Sequence, residues 1–298
     1  MRFVSFETRH GGCGAGVLTD EGIQVLLLDD RRERGISPIR RLLLETEGRL
    51  TELRNQADAS PVLRIADVRV DIPVPDPSKI VAAPVNYRDH QAEMRQETHV
   101  NTLGVFLKSP SSLVPHGGVV QLPYHDRRFD QEGELALVVG REMSHVPPEE
   151  ALDHVAGYTC LLDMTMRGGE DRSIRKSFDT FTPMGPHLVT PDEVGPLETL
   201  ELRCSVDGTP RQHARITDLI WDVPRLLSYI SSAMRLLPGD VVSTGTPAGV
   251  GEVRDGHRIV VDIDRIGRLD VSVSSAGAVA SPTRGHKVPH AVAAVPAR

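Results

Sequence analysis

The sequence predicts an α+β chain that is mainly β, with a small N-terminal α+β module followed by a larger domain of mixed sheets. Three observations carry this expectation. Apolar residues fall in short runs of strand length, closed off by glycine, proline and aspartate turns. Stretches near 37–53 and 222–236 show the recurrence of an amphipathic helix instead. The proline-rich Pro73-Val-Pro-Asp-Pro77 interrupts the chain where its composition changes. The expected organisation is therefore a module at 1–73, a main domain at 74–275 and a disordered tail at 276–298.

With 298 residues the chain is long enough for a sizeable core, and with 4% aromatics that core must be aliphatic. A net charge of −7 argues against nucleic acid or an anionic membrane as partner. Cations that bind an anionic substrate would have to be concentrated locally. Cys13, Cys160 and Cys204 lie far apart and form neither a metal motif nor a disulfide framework. No apolar stretch has the length of a membrane span, and the first residues lack a signal-peptide core, so a cytoplasmic protein is expected.

Within the N-terminal module, residues 3–6 and 23–28 are strand-like, with Gly11-Gly12 and Asp20-Glu-Gly22 as turns. Ser37-Pro38 then caps a helix on which Ile39, Leu42, Leu43, Leu50 and Leu53 share roughly one face. After the linker, Lys79-Ile-Val-Ala-Ala83 reads as a strand. It leads to His90 and Glu93, three apart, which a helix would bring onto one face. A carboxylate there orients the imidazole and raises its basicity, so the pair can activate a water. It can equally be a surface pair. Residues 95–103 are polar and suit a lid, and 104–110 form another apolar strand with Lys108 at its polar end, solvated unless a substrate claims it.

The strongest chemical signal is Phe129-Asp-Gln-Glu-Gly-Glu-Leu-Ala-Leu-Val-Val-Gly140. Residues 135–139 read as a buried strand stopped by glycine, and Glu132 and Glu134 stand two apart at its start, on one face. Two carboxylates that close resist joint ionisation unless a cation sits between them. Asp163 ends the next apolar run, Tyr158-Thr-Cys-Leu-Leu-Asp163, beyond a helix expected at 148–155, and can return to the same sheet as a third ligand. Three carboxylates with no histidine or cysteine nearby form an all-oxygen site suited to Mg²⁺ first and Mn²⁺ next. Pattern alone also allows a strand face whose acids simply meet water.

Residues 166–181 concentrate Arg167, Arg172, Arg175 and Lys176, a carboxylate-binding loop or a solvated one. A hairpin follows, turning at Asp207-Gly208. The helix at 222–236 places Val223, Leu226, Leu227, Ile230 and Met234 on its apolar side. Residues 238–251 are glycine-rich but lack the Gly-Lys-Ser/Thr of a nucleotide loop, so a carboxylate held by Thr246 and neighbouring amides fits better. Runs at 259–263 and 267–273 close the sheet.

Six spaced motifs together resemble the fumarylacetoacetate hydrolase family, in order over residues 79–273. They are Asn86-Tyr-Arg-Asp-His90 with Glu93, Phe106-Leu-Lys108, Glu132-Gly-Glu134, Ala156-Gly-Tyr158 leading to Asp163, Lys176-Ser-Phe-Asp179, and Pro238-Gly-Asp240 through Thr244-Gly-Thr-Pro-Ala-Gly249. The resemblance implies a mixed β-roll or sandwich as catalytic domain, a homodimer, and one Mg²⁺ or Mn²⁺ per subunit on Glu132, Glu134 and Asp163. It implies His90 with Glu93 as the water-activating pair on a lid and Lys176 as a catalytic cation. Arg88, Lys108, Arg167, Gly245 and Thr246 are implied to bind substrate. This chain departs from the family's usual pattern at Pro84-Val85, where Gly-Leu is common, and at Gly168, where an acid is common.

The implied substrate is a small 2-oxo acid, and the implied reaction is hydrolysis of a C–C bond in an acylpyruvate such as fumarylpyruvate or acetylpyruvate. Decarboxylation of oxaloacetate and isomerisation or tautomerisation of a 2-hydroxy-dienedioate use the same kind of site. The His90–Glu93 pair favours hydrolysis, since decarboxylation needs no activated water. A non-catalytic metal-binding protein of the same fold is the reading from a different class.

Overall fold

The strand Gly133–Val139 is buried along its whole length and separates two cores. Leu135, Leu137 and Val139 belong to the larger one, while Ala136 and Val138 point into the other, as the alternation of a strand demands. The computed structural model describes residues 1–29, 35–95 and 97–283. Among these, the largest sheet has 12 strands. Its centre runs Arg2–Thr8, Thr182–Val189, Val155–Leu162, Gly133–Val139, Val241–Ser243, Ile80–Ala82 and Phe106–Lys108. Pairing is antiparallel there except between Val241–Ser243 and Ile80–Ala82.

A 5-stranded sheet built on the hairpin Glu201–Val206 and Thr209–Arg215 packs on the larger core. The helix Val223–Ala233 closes that core with Val223, Leu226, Leu227 and Ile230, and Asp222 caps it by accepting from the Arg225 N–H. A 3-stranded sheet of Thr165–Met166, Phe129–Gln131 and Gly251–Val253 completes the mixed, mainly β architecture.

Several elements differ from the sequence expectation. Cys13–Leu18, rich in glycine, is a strand between the two expected in the N-terminal module. The long helix expected from Pro38 stops at Glu45, and a shorter helix follows at Arg54–Asp58. Between them Gly48 lies at φ +80 against Gly140, where a Cβ would come within 2.6 Å of the Gly140 Cα, so the turn needs glycine. Pro148–His154 is a 3₁₀ helix. Of the polar segment 95–103, Val100–Leu103 is helical, and Gln96 lies outside the described residues.

Residues 1–73 hydrogen-bond into the same sheet as the rest, through Arg2–Thr8 on Thr182–Val189. Their Phe3, Ile39, Leu42 and Leu43 share a core with Ala136, Val138, Leu161, Met184 and Leu188. Of the expected disordered tail, residues 276–283 are described, with Val279 bridged to Tyr124; residues 284–298 lie outside the described residues. No helix among the described residues is long and apolar enough to cross a membrane.

Candidate active site at the seam between two sheets

Two neighbouring strands break at the same level. Phe129–Gln131 belongs to the 3-stranded sheet and Gly133–Val139 to the largest, so Glu132 sits at the crossing between them. Opposite it, Val155–Leu162 gives way to Thr165–Met166, leaving Asp163 at the same crossing with its N–H on the Glu132 carbonyl at 2.8 Å. Glu134 is the second residue of its strand. The acids therefore meet because two strands bend together, where the sequence reading had both glutamates on one unbroken strand. All three are buried, and one carboxylate oxygen from each lies within 4.8 Å of the others.

Two lysines hold this cluster together. Lys176 Nζ donates to Glu132 Oε2 at 2.7 Å, Asp163 Oδ2 at 2.5 Å and Thr165 Oγ1 at 2.6 Å. Lys108 Nζ donates to Asp163 Oδ1 at 2.5 Å and to the Phe181 carbonyl at 3.2 Å. Lys108 is thus a buried counter-ion beneath Asp163, at 2% exposure, and does not line the cleft as a substrate-binding residue would. Arg167 approaches Glu132 Oε1 at 3.6 Å while its Nε is bonded to the buried Asp130.

The charges settle unequally on the acids. Burial pushes Glu132 upward, but the positive charges of Lys176 and Arg167 prevail and hold it down at about 2. Burial and the nearby Asp163 charge drive Glu134 upward instead. Glu134 accepts from Ser243 Oγ and from the Gly245 N–H at 2.9 Å, with no ion pair among the described residues. A buried acid without its own cation, facing two acids within a few ångströms, is what a divalent ion would resolve. The all-carboxylate donor set fits a hard ion such as Mg²⁺ or Mn²⁺.

His90 lies on the helix Arg88–Glu93, and its Nδ1 is 3.0 Å from Glu93 Oε2. The start of this helix is anchored by Asn86, whose amide donates to the Trp221 and Thr244 carbonyls. Glu93 is in turn fixed by the Gly249 N–H at 3.0 Å, and the hydrogen bond from His90 helps to keep it below the usual carboxylate range against the opposing effect of burial. Gly249 has φ +97, and a Cβ there would fall 1.8 Å from the Arg211 carbonyl oxygen, so only glycine can bring this amide to Glu93.

One cleft brings His90, Glu132, Glu134, Asp163, Arg167, Lys176 and Thr246 together. Arg88 is exposed on its helix and is not in the cleft wall. The glycine-rich loop does hold carboxylates through its amides, but they are the protein's own: Gly245 serves Glu134 and Gly249 serves Glu93. Thr246 Oγ1 donates to the Gly133 carbonyl at 2.9 Å and accepts from Gln212 at 2.7 Å. Asp130, Ser243 and Gln212, which support these groups, escaped the sequence reading. Asp130 stands two residues before the Glu-x-Glu motif, and Ser243 falls within the last of the six motifs, whereas Gln212 carries no local signal at all.

The C-terminal region model of fumarylacetoacetate (FAA) hydrolases matches residues 79–274, and the chain belongs to this family, whose members include hydrolases with isomerase and tautomerase relatives. A maleylpyruvate hydrolase of Aquipseudomonas alcaligenes is 40% identical over 245 residues, covering 78% of this chain and 85% of that one. The oxaloacetate tautomerase YisK of Bacillus subtilis is 38% identical over 221 residues, covering 69% and 73%. The crystal structure of maleylpyruvate hydrolase from Sphingobium sp. SYK-6 matches with TM-score 0.80 at 35% identity, over 92% of this chain and 100% of that one. A structure of that enzyme in complex with manganese(II) ion and pyruvate matches with TM-score 0.78, again at 35% identity, over 92% of this chain and 99% of that one.

Proposed function

We propose that this chain is a divalent-metal-dependent hydrolase that cleaves the C3–C4 bond of an acylpyruvate, releasing pyruvate and a carboxylic acid. The observation that carries the reading is the presence in one cleft of three converging buried carboxylates and a carboxylate-oriented histidine. Similarity to maleylpyruvate hydrolases supports the choice of reaction. Glu132, Glu134 and Asp163 would hold one Mg²⁺ or Mn²⁺, which when bound draws negative charge onto the oxygens of a 2-oxo acid.

The chain's own residues supply the rest. Glu93 fixes the proton on His90 Nδ1, leaving Nε2 free to accept a proton from water. The water oxygen bonds to C4, and the Lys176 ammonium offsets charge on the C4 oxygen. The C3–C4 electron pair then leaves with the pyruvyl fragment, and the proton held on His90 goes to C3. Arg167 and Thr246 line the cleft where the substrate would lie. A homodimer in the cytoplasm completes the reading, supported by the family resemblance and by three free cysteines, which suit a reducing compartment.

Tautomerisation of oxaloacetate is the second reading, favoured by the YisK similarity; it would use His90 to move a proton between C3 and the 2-oxo oxygen. Product analysis with Mn²⁺ separates the two. Acetylpyruvate and fumarylpyruvate should give equimolar pyruvate and free acid, and His90→Ala should lower kcat by about 10²–10⁴-fold, the usual contribution of a general base. Enol–keto exchange of oxaloacetate without cleavage of either acylpyruvate would replace the hydrolase with the tautomerase.

A further inference from the structure

The wall of the cleft carries two guanidinium groups that the reaction above does not use. Arg172 and Arg175 are the first and last residues of one short helix, and a spacing of three puts them on the same face. Both line the cleft shared by Glu132, Glu134 and Asp163, and both are half-buried. Neither makes a hydrogen bond or ion pair among the described residues. The neighbouring arginines differ in this respect: Arg167 and Arg128 are bonded to Asp130, and Arg127 to Glu170.

Apart from Glu134, the acids at hand are already matched. Glu132 is bonded to Lys176, Asp163 to both lysines, and Asp130 to two arginines. The adjacent Asp171 is exposed and gives one oxygen to the Ser173 N–H at 2.8 Å. Arg172 and Arg175 are therefore surplus positive charge held close together, with Arg167 nearby. Burial, and then repulsion from Arg172 and Arg167, disfavours the charge on Arg175, with Glu132 as the opposing influence. Such a pair is costly when empty and relieved by an anion.

The segment that leads into their helix is anchored. Glu170, just before their helix, receives Arg127 through both oxygens at 2.8 and 3.0 Å, and Thr283 donates to it at 2.7 Å. The same cleft wall includes the apolar side chains of Val85, Met94 and Phe106, suited to a short hydrocarbon segment.

We propose that Arg172 and Arg175 bind a second carboxylate at the far end of the substrate, making the enzyme selective for acylpyruvates whose acyl group is itself a dicarboxylic half-acid. This rests on the acylpyruvate reading for the pyruvyl end of the cleft. The test uses two unreactive ligands with the same seven-carbon skeleton, 2-oxoheptanedioate and 2-oxoheptanoate, titrated calorimetrically into the Mn²⁺-loaded protein. The wild type should bind the dianion roughly tenfold or more tightly, as expected of a charge-assisted hydrogen bond. The double variant Arg172→Gln/Arg175→Gln should lose most of that preference while melting like the parent in EDTA, and Arg175→Lys should keep part of it.

A wild-type preference below about twofold, or a preference that survives in the double variant, overturns the proposal. The kinetic counterpart is the ratio of kcat/KM for fumarylpyruvate to that for acetylpyruvate, which should fall in the double variant chiefly through KM. If acylpyruvates are cleaved but the wild type does not distinguish the two ligands, the arginine site is wrong and the hydrolase reading stands. If no acylpyruvate is cleaved but the preference exists and is lost in the double variant, the arginine site stands without the hydrolase.

Discussion

Glu134 and Asp163 are neighbours in the same buried cluster, yet their surroundings differ. Asp163 is held by Lys108 and Lys176, whereas Glu134 has a hydroxyl and an amide on its carboxylate and no ion pair among the described residues. Removing a charge from the two places should therefore have opposite costs. Lys108→Met leaves a buried oxygen of Asp163 without its cation and should cost about 3 kcal/mol in the metal-free protein, the low end for breaking a buried pair because Lys176 still holds the other oxygen. Glu134→Gln keeps the shape and removes a charge whose burial is unfavourable, so urea denaturation in EDTA should find it no less stable than the parent. It should nevertheless abolish the rise in melting temperature on adding Mn²⁺. A retained Mn²⁺ response in Glu134→Gln would remove that residue from the ligand set.

The strand Thr182–Val189 of the largest sheet meets the 5-stranded sheet through His187, whose Nε2 donates to the Ile266 carbonyl at 2.7 Å. Burial lowers His187 to about 4, with Arg2 and His116 adding repulsion, while that hydrogen bond and Glu193 act in the opposite sense. In the unfolded chain the imidazole takes a proton near its ordinary 6.5, so over this interval the unfolded state binds more protons. The resulting stability is fully present above about 6.5 and is lost as pH falls towards 4, up to about 3 kcal/mol. His187→Gln should flatten the pH dependence of metal-free stability between 4 and 7; a profile parallel to the parent's would exclude this source. Nothing in the sequence marks His187, because its partner lies 79 residues away. The same limit explains other gaps. Runs such as 133–139 and the helix Val223–Ala233 are legible because their apolar pattern is local. The strands Phe129–Gln131, Thr165–Met166 and Gly251–Val253 have two or three residues each and exist through their pairing. Glu132, Glu134 and Asp163 were legible as a cluster, but the coincident strand breaks that join them were not. Neither was the depth of Lys108, which reads as a strand end and is a buried counter-ion.

At the scale of the whole molecule, the proline-rich stretch at 73–77 divides the sequence more clearly than it divides the structure. The family match begins at residue 79, yet the sheet continues through Arg2–Thr8 and the second core draws residues from both sides. We propose that residues 1–73 are an appended module on which the remaining chain depends. Without them, Thr182–Val189 loses the pairing of Leu188 and Val189 with Phe3 and Arg2 and gains an exposed edge at that end. Ala136, Val138, Leu161, Met184 and Leu188 lose their cover at the same time. Phe3, Ile39, Leu42 and Leu43 are each buried to within 1%. At about 1.5–3 kcal/mol per buried side chain these four alone approach the whole margin of about 5–15 kcal/mol that keeps a domain folded. A chain beginning at residue 74 should therefore aggregate or melt without a cooperative transition, although it retains every residue of the cleft. Size-exclusion chromatography and thermal melts with and without Mn²⁺ decide the matter. A monodisperse truncated protein with the parent's melting temperature and Mn²⁺ response would mean that the catalytic region folds alone and that the shared core is dispensable.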